Sequence, residues 1–137
     1  MRYITSLDEA FEVITSDEQS RACVITDPRL PDNPIVYVTP EFEAHTGYSK
    51  EEVLGRNCRF LQGPDTDPAA IAAIRDAVEN MQPLEIAILN YRTDGTPFWN
   101  NLLIRPVFSR SGSLKSYVAL ESIRLSREQT AREKQVA

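Results

Sequence analysis

LEIAILNYRTDGTPFWNNLLIRPVFSRSGSLKSYVALESI, residues Leu84 to Ile123, holds three runs rich in β-branched, aromatic and aliphatic side chains: Leu84 to Arg92, Pro97 to Phe108 and Lys115 to Ile123. They are separated by Thr93-Asp94-Gly95-Thr96 and Ser109-Arg110-Ser111-Gly112-Ser113. Asp-Gly and Ser-Gly are hairpin chemistry, so the stretch predicts an antiparallel meander. Side chains alternate across a strand. One face then carries Ile86, Ile88 and Asn90, next Phe98, Asn100, Leu102 and Ile104, next Tyr117, Ala119, Glu121 and Ile123. Asn90, Asn100 and Glu121 each interrupt an apolar stripe. Against a layer of helices, each would cost about 1–3 kcal/mol unless its hydrogen bonds were met. A planar heterocycle with donors and acceptors along one edge would meet them, whereas a register shifted by one residue would leave the amides in water. Three coincident interruptions favour the buried polar ligand.

The opposite face is also apolar, with Leu89, Tyr91, Trp99, Leu103, Val118 and Leu120. A water-facing sheet surface is normally more polar. Either terminal helices fold over this face or a second copy of the chain does. A homodimer through this surface and the terminal helices is the expectation.

Upstream, Arg21 to Thr26 and Ile35 to Val38 read as two strands joined by Asp-Pro-Arg-Leu-Pro-Asp-Asn-Pro, whose prolines bar helix and central strand. Pro40 opens a short helix through His45, and Ser49 caps another before Gly55. Asp67 as N-cap, Pro68 at the first helical position and a stripe of Ile71, Ile74 and Val78 predict the longest helix, with Pro83 beyond its end. The sum is an α+β fold, a five-stranded antiparallel sheet with helices packed on one face. Ser6-Leu7-Asp8-Glu9 has capping-box form, and Leu7, Ala10, Phe11 and Ile14 extend a helix over 6–15. The polar tail SREQTAREKQVA, with Ser126 and Gln129 at capping-box positions, predicts a short terminal helix. The division is thus an N-terminal cap over 1–20, a core over 21–125 and a helical tail over 126–137.

The 137 residues, 42% hydrophobic and 26% charged, fit one soluble globular domain able to bury a core without disulfide or metal staples. A net charge of −5 with no basic cluster argues against nucleic-acid binding. Cys23 and Cys58 read as reduced thiols, Cys23 as packing within its strand. The acidic N-terminal stretch is no secretory signal and nothing is long enough to span a bilayer, so a cytoplasmic location with no membrane contact is expected. His45, the single histidine, and two distant thiols lack metal-ligand spacing.

The densest motif is Gly55-Arg56-Asn57-Cys58-Arg59-Phe60-Leu61-Gln62-Gly63. Cys58 falls near the start of a short helix with Asn57 as a cap, beside Arg56 and Arg59, a setting that favours thiolate character. Taken alone, a free cysteine near arginines is more often structural than reactive. GRNCRFLQG together with NYRTDGTPFWN, however, strongly resembles the light-oxygen-voltage family of flavin-binding photosensors within the PAS fold. The resemblance runs from about Cys23 to Ile123 and takes in Thr46-Gly47-Tyr48 and Glu52-Val53-Leu54.

That resemblance implies a noncovalently held flavin, usually FMN, whose blue-light triplet state reacts with a cysteine to form a reversible bond at flavin C4a. Cys58 occupies that position, and the family's resting thiol is neutral, so excitation rather than a low pKa supplies reactivity. By the same resemblance Asn57 and Gln62 contact the ribityl chain and nearby ring, Arg59 and Arg75 grip the phosphate, and Asn90 and Asn100 pair with the pyrimidine edge. Guanidinium forks suit a phosphate dianion, although Arg75 also reads as a solvated helix residue. Phe60, Leu61, Ile88 and Leu102 would complete the apolar wall.

One departure stands out. Where the family has glutamine beside flavin N5 and O4, this chain has Glu121. Glutamate copies the donor only when protonated, and burial beside an apolar ring raises its pKa toward that state. The implied function is a sensor, not an enzyme, with hydrogen-bond changes at Glu121 passing through the last strand to the terminal helices, the dimer or a downstream protein. The rival readings are a thiol-using flavin enzyme, for which no nicotinamide fingerprint is present, and a PAS interaction module without flavin.

Overall fold

Gly95 carries the first hairpin at φ 84°, a conformation L side chains resist, and Arg92 N–H donates to Thr96 O across the turn at 2.9 Å. The second hairpin closes through Ser109 N–H to Ser113 O at 2.8 Å. In the computed structural model, which describes residue 10 and residues 12–124, these turns join β3 (Leu84–Tyr91), β4 (Pro97–Phe108) and β5 (Leu114–Arg124). With β1 (Ala22–Thr26) and β2 (Ile35–Val38) they form a five-stranded sheet in the order β2-β1-β5-β4-β3. Every neighbouring pair is antiparallel, as the turn chemistry and strand runs require.

The helical middle also follows its local signals. α2 (Pro40–Thr46) starts on its proline. α3 (Lys50–Val53) carries a reciprocal capping box between Ser49 and Glu52. A 3-10 helix spans Cys58–Leu61. α4 (Pro68–Glu79) has Asp67 as N-cap, its side chain accepting from Ala69 N–H at 2.9 Å. α4 ends at Glu79, ahead of Pro83, and Met81 takes a left-handed φ of 53°.

The N-terminal region differs from its reading. The box at Ser6 and the tail over 126–137 lie outside the described residues. Glu12 to Ile14 form a turn and bend rather than continuing a helix to 15. Thr15 instead caps a new helix, α1 (Ser16–Gln19), because its hydroxyl accepts from Glu18 N–H while the Glu18 carboxylate accepts from Thr15 N–H. Two satisfied backbone donors favour the restart over continuation.

The inner face of the sheet carries two apolar clusters. Ala22 and Val24 of β1 and Ile35 and Val38 of β2 pack with Phe42, Val53 and Leu61. Ile88, Leu102, Ile104 and Tyr117 pack with Ala70 of α4. Ala119 of β5 touches both clusters. On the outer face, Cys23, Ile25, Val36, Val118 and Leu120 are buried with Ala10 and Ile14. The N-terminal segment therefore covers the β1 and β5 half of that face. It leaves Trp99 and Leu103 of β4 exposed, at 46% and 38%. Among the described residues no helix is long and apolar enough to cross a membrane.

Candidate functional site

The cysteine motif is laid from one sheet edge to the other. At the β2 edge, Ile35 N–H donates to Arg56 O at 2.8 Å and Gly55 N–H to Ile35 O at 2.9 Å. At the β3 edge, Thr66 Oγ1 donates to Leu89 O at 2.7 Å, and Asp65 N–H donates to Tyr91 Oη at 3.0 Å. Gly63 permits this approach, since a Cβ there would lie 2.3 Å from the Tyr91 ring. Each edge strand is thereby engaged at one point, Ile35 of β2 and the Leu89–Tyr91 stretch of β3. Tyr91 is consequently turned into this loop contact rather than contributing an open outer surface.

Between those anchors, Asn57 caps the 3-10 helix as its sequence position predicts, its Oδ1 accepting from Arg59 N–H at 3.0 Å. Cys58 is the first residue of that helix, and Leu61 is buried. Phe60 meets Tyr48 edge-on at 4.9 Å between ring centroids, while the Arg56 guanidinium lies 4.4 Å over the Phe60 ring. Cys58 and Phe60 thus border the β1 and β2 cluster, and Ile88 and Leu102 belong to the cluster beneath α4.

The polar interruptions face inward. Asn90, Asn100 and Glu121 are 4%, 1% and 6% exposed, which excludes the register that would place them in water. Pairing sets Asn90 opposite Phe98, Asn100 opposite Ile88 and Glu121 opposite Leu102. Asn100 Nδ2 donates to Asn90 Oδ1 at 3.0 Å. Asn100 Oδ1 and Glu121 Oε2 are buried with no hydrogen-bond partner. Each such atom carries a desolvation cost of about 1–3 kcal/mol, and Thr26 Oγ1 and Asn33 Oδ1 are likewise buried without a partner elsewhere in the fold.

Charge balance at the cysteine bears on the two opposed readings of its thiol. Burial pushes the Cys58 thiol up to about 12, and the nearby Glu121 carboxylate adds to the rise. Burial disfavours the thiolate suggested by the helix start and the arginines and favours the neutral thiol that the family resemblance implies. Burial also lifts Glu121 to about 7, with Asn100 acting in the opposite direction. Cys58 and Glu121 are electrostatic neighbours, and a proton on Glu121 relieves both.

The remaining expected site residues are arranged less tightly. Asn57 and Gln62 are half-buried, and Arg59 and Arg75 are exposed, the latter on α4. Arg59 is engaged by Asp32 through Nη1 to Oδ1 at 2.9 Å and a second Nη2 to Oδ2 contact. Asn57 Nδ2 also donates to Asp32 O, at 2.7 Å. Asp32, Thr66 and Tyr91 were not anticipated. Asp32 and Asn33 adopt left-handed φ values of 66° and 48°, a conformation Asp and Asn tolerate in turns, and that pair after Pro31 was the available signal. Among the described residues no group of three or more His, Cys, Asp and Glu side chains is placed to hold a metal ion. Burial pushes Cys23 up to about 12, consistent with its packing role.

A profile of the PAS domain matches residues 20–122. A blue-light-activated histidine kinase of Brucella anthropi is 51% identical over 96 residues, 70% of this chain and 20% of the kinase. The chain therefore spans about a fifth of the length of the curated relatives it matches. A solved structure from a study of a flavin analogue and light-oxygen-voltage domain mechanism shares 40% identity at TM-score 0.78, covering 96% of this chain and 93% of that one. The light state of the Aureochrome1 light-oxygen-voltage domain matches at 40% identity and TM-score 0.75, covering 91% and 99% respectively. The light-oxygen-voltage domain of a blue-light-activated histidine kinase from Erythrobacter litoralis matches at 40% and 0.74, covering 77% and 97%. With the sheet order, the edge-to-edge cysteine motif and the buried amide row in agreement, the chain belongs to the PAS family, among its light-oxygen-voltage domains.

Proposed function

We propose that the chain is a blue-light sensor that holds FMN noncovalently between the cysteine motif and the inner face of the sheet. The observation that carries this reading is the pair of buried, partnerless oxygens, Asn100 Oδ1 and Glu121 Oε2, beside a neutral Cys58 thiol. The blue-light relatives and the flavin-analogue study support it. A bound flavin would supply blue-light absorption and a ring able to take up the Cys58 sulfur and its proton reversibly, with no outside oxidant, while Cys58 would supply both.

The rest falls to the protein's own groups. Asn90 and Asn100 read the hydrogen-bonding edge of the ring, and Phe60, Leu61, Ile88 and Leu102 exclude water from its apolar body. Asn57 and Gln62 orient the ribityl chain. Arg59 and Arg75 favour a phosphate terminus, since guanidinium donors and dianion oxygens are complementary. Burial keeps the proton on Cys58 sulfur in darkness. Glu121, carrying a proton over much of the neutral range, donates at the position where the family has glutamine.

Output leaves through β5. Glu121 is covalently close to the end of that strand, so a change in its hydrogen bonding reaches residues 126–137 and the outer sheet face. In this reading residues 21–125 are the sensing core, and residues 1–20 and the tail carry the response to a homodimer contact or downstream protein. The domain works in the cytoplasm as a sensor and turns over no substrate. Absorption spectroscopy tests the proposal: the FMN-loaded chain bleaches its blue band under illumination and recovers in darkness, whereas Cys58→Ala retains the band under light. A Cys58→Ala protein that bleaches and recovers like wild type overturns the cysteine's role.

A further inference from the structure

The Arg59 guanidinium is already committed within the chain. Nη1 and Nη2 both bond the Asp32 carboxylate, the first at 2.9 Å, and Arg59 in turn holds that carboxyl below its usual range. The Asp32 carbonyl accepts from Asn57 Nδ2 at 2.7 Å. Asp32 thus grips the residues on both sides of Cys58, from a loop joining β1 to β2. A fork engaged on both terminal nitrogens offers a phosphate only its remaining N–H groups, and the carboxylate repels a dianion at that end. The terminal hydroxyl of riboflavin is neutral and escapes the repulsion.

We propose that Asp32 sets ligand specificity through Arg59, weakening the preference for a flavin bearing a terminal phosphate over the unphosphorylated flavin. The inference rests on the flavin reading above. Both partners are more than half exposed, with side-chain exposures of 60% and 58%, so solvent limits the effect to a few-fold change. Asp32→Asn keeps the left-handed backbone and the carbonyl contact while removing the charge.

The test titrates the flavin-free 137-residue chain with FMN and separately with riboflavin, following flavin fluorescence, for wild type, Asp32→Asn and Asp27→Asn. The last removes the carboxylate of the other ion pair in this loop, Asp27 with Arg29. The ratio of FMN to riboflavin affinity is expected to rise about two- to fivefold in Asp32→Asn and to stay at the wild-type value in Asp27→Asn. Added salt should shrink the difference. A ratio unchanged or lowered by Asp32→Asn, with both flavins still bound, overturns the role of Asp32 while leaving the flavin site intact. Wild-type protein that binds neither flavin overturns the flavin reading and this inference together.

Discussion

Asn100 donates its side-chain amide to Asn90 Oδ1 across 3.0 Å on the inner face of the sheet, and its own Oδ1 is left buried without a partner. Exchanging nitrogen and oxygen on one amide alone would set like atoms against each other and break this bond, so the assignment of the pair is fixed jointly. The same face holds Glu121 with an orphan of its own. Residues this buried are chosen for something other than the stability of the isolated chain.

Glu121 makes that stability fall as pH rises. Its folded pKa of about 7 stands above the ordinary 4.5, so between those values the folded state binds a proton that the unfolded state has lost. The favourable contribution is complete below 4.5, is lost progressively toward about 7, and does not return above it. Relative to wild type, Glu121→Gln is expected to gain up to about 3 kcal/mol over this window. Thermal melts of flavin-free protein from about pH 5 to 9 check it. In FMN-loaded protein, the dark spectrum and recovery rate should vary with pH in wild type and not in Glu121→Gln. Identical behaviour of the two proteins by every measure removes the titrating role.

Gly63 tests the loop clip on β3. A methyl group would press into the Tyr91 ring, and Tyr91 Oη is held by Asp65 N–H. Gly63→Ala should therefore cost about 1–3 kcal/mol, read as a fall in melting temperature of about 4–12 °C. Adding Tyr91→Leu should recover part of the loss, a coupling that separates the steric clash from a general effect of alanine.

An ion pair is one of the contacts that hold the N-terminal segment to the sheet. Arg105 Nη2 donates to Glu18 Oε1 at 2.7 Å, and Glu18 is largely buried. The Thr15 and Arg105 contacts outweigh its burial and hold its carboxyl below the usual 4.5, so this support is present above that value and lost as pH falls below it. Arg105→Met should destabilise the segment by about 1–3 kcal/mol through the unpaired carboxylate. Faster hydrogen exchange in residues 12–20, with β3 to β5 unchanged, is the expected signature. Exchange equal to wild type would show that the remaining contacts, Ala10 and Ile14 packing among them, suffice to hold the segment.

Strand period and turn chemistry made most of the architecture readable. The two hairpins, the extent of β4, the inward row of Asn90, Asn100 and Glu121, and the caps Ser49, Asn57 and Asp67 all depend on residues a few positions apart. The partnership of Asp32 with Arg59 joins positions 27 residues apart, and Tyr91 reaches Asp65 across 26. No short-range pattern encodes such meetings. The outer face was legible as apolar but not as divided, because its coverage depends on where Ala10 and Ile14 come to rest.

Alternation along β3, β4 and β5 by itself determined which side chains share a face, since a strand's pleat leaves them no choice, and the motif around Cys58 by itself declared the family. Tertiary packing alone decided how far burial lifts the Cys58 and Glu121 pKa values, the engagement of Arg59 and which outer-face side chains are covered among the described residues. Those properties arise from desolvation and from charges brought together by distant segments, and neither quantity exists until the chain has folded.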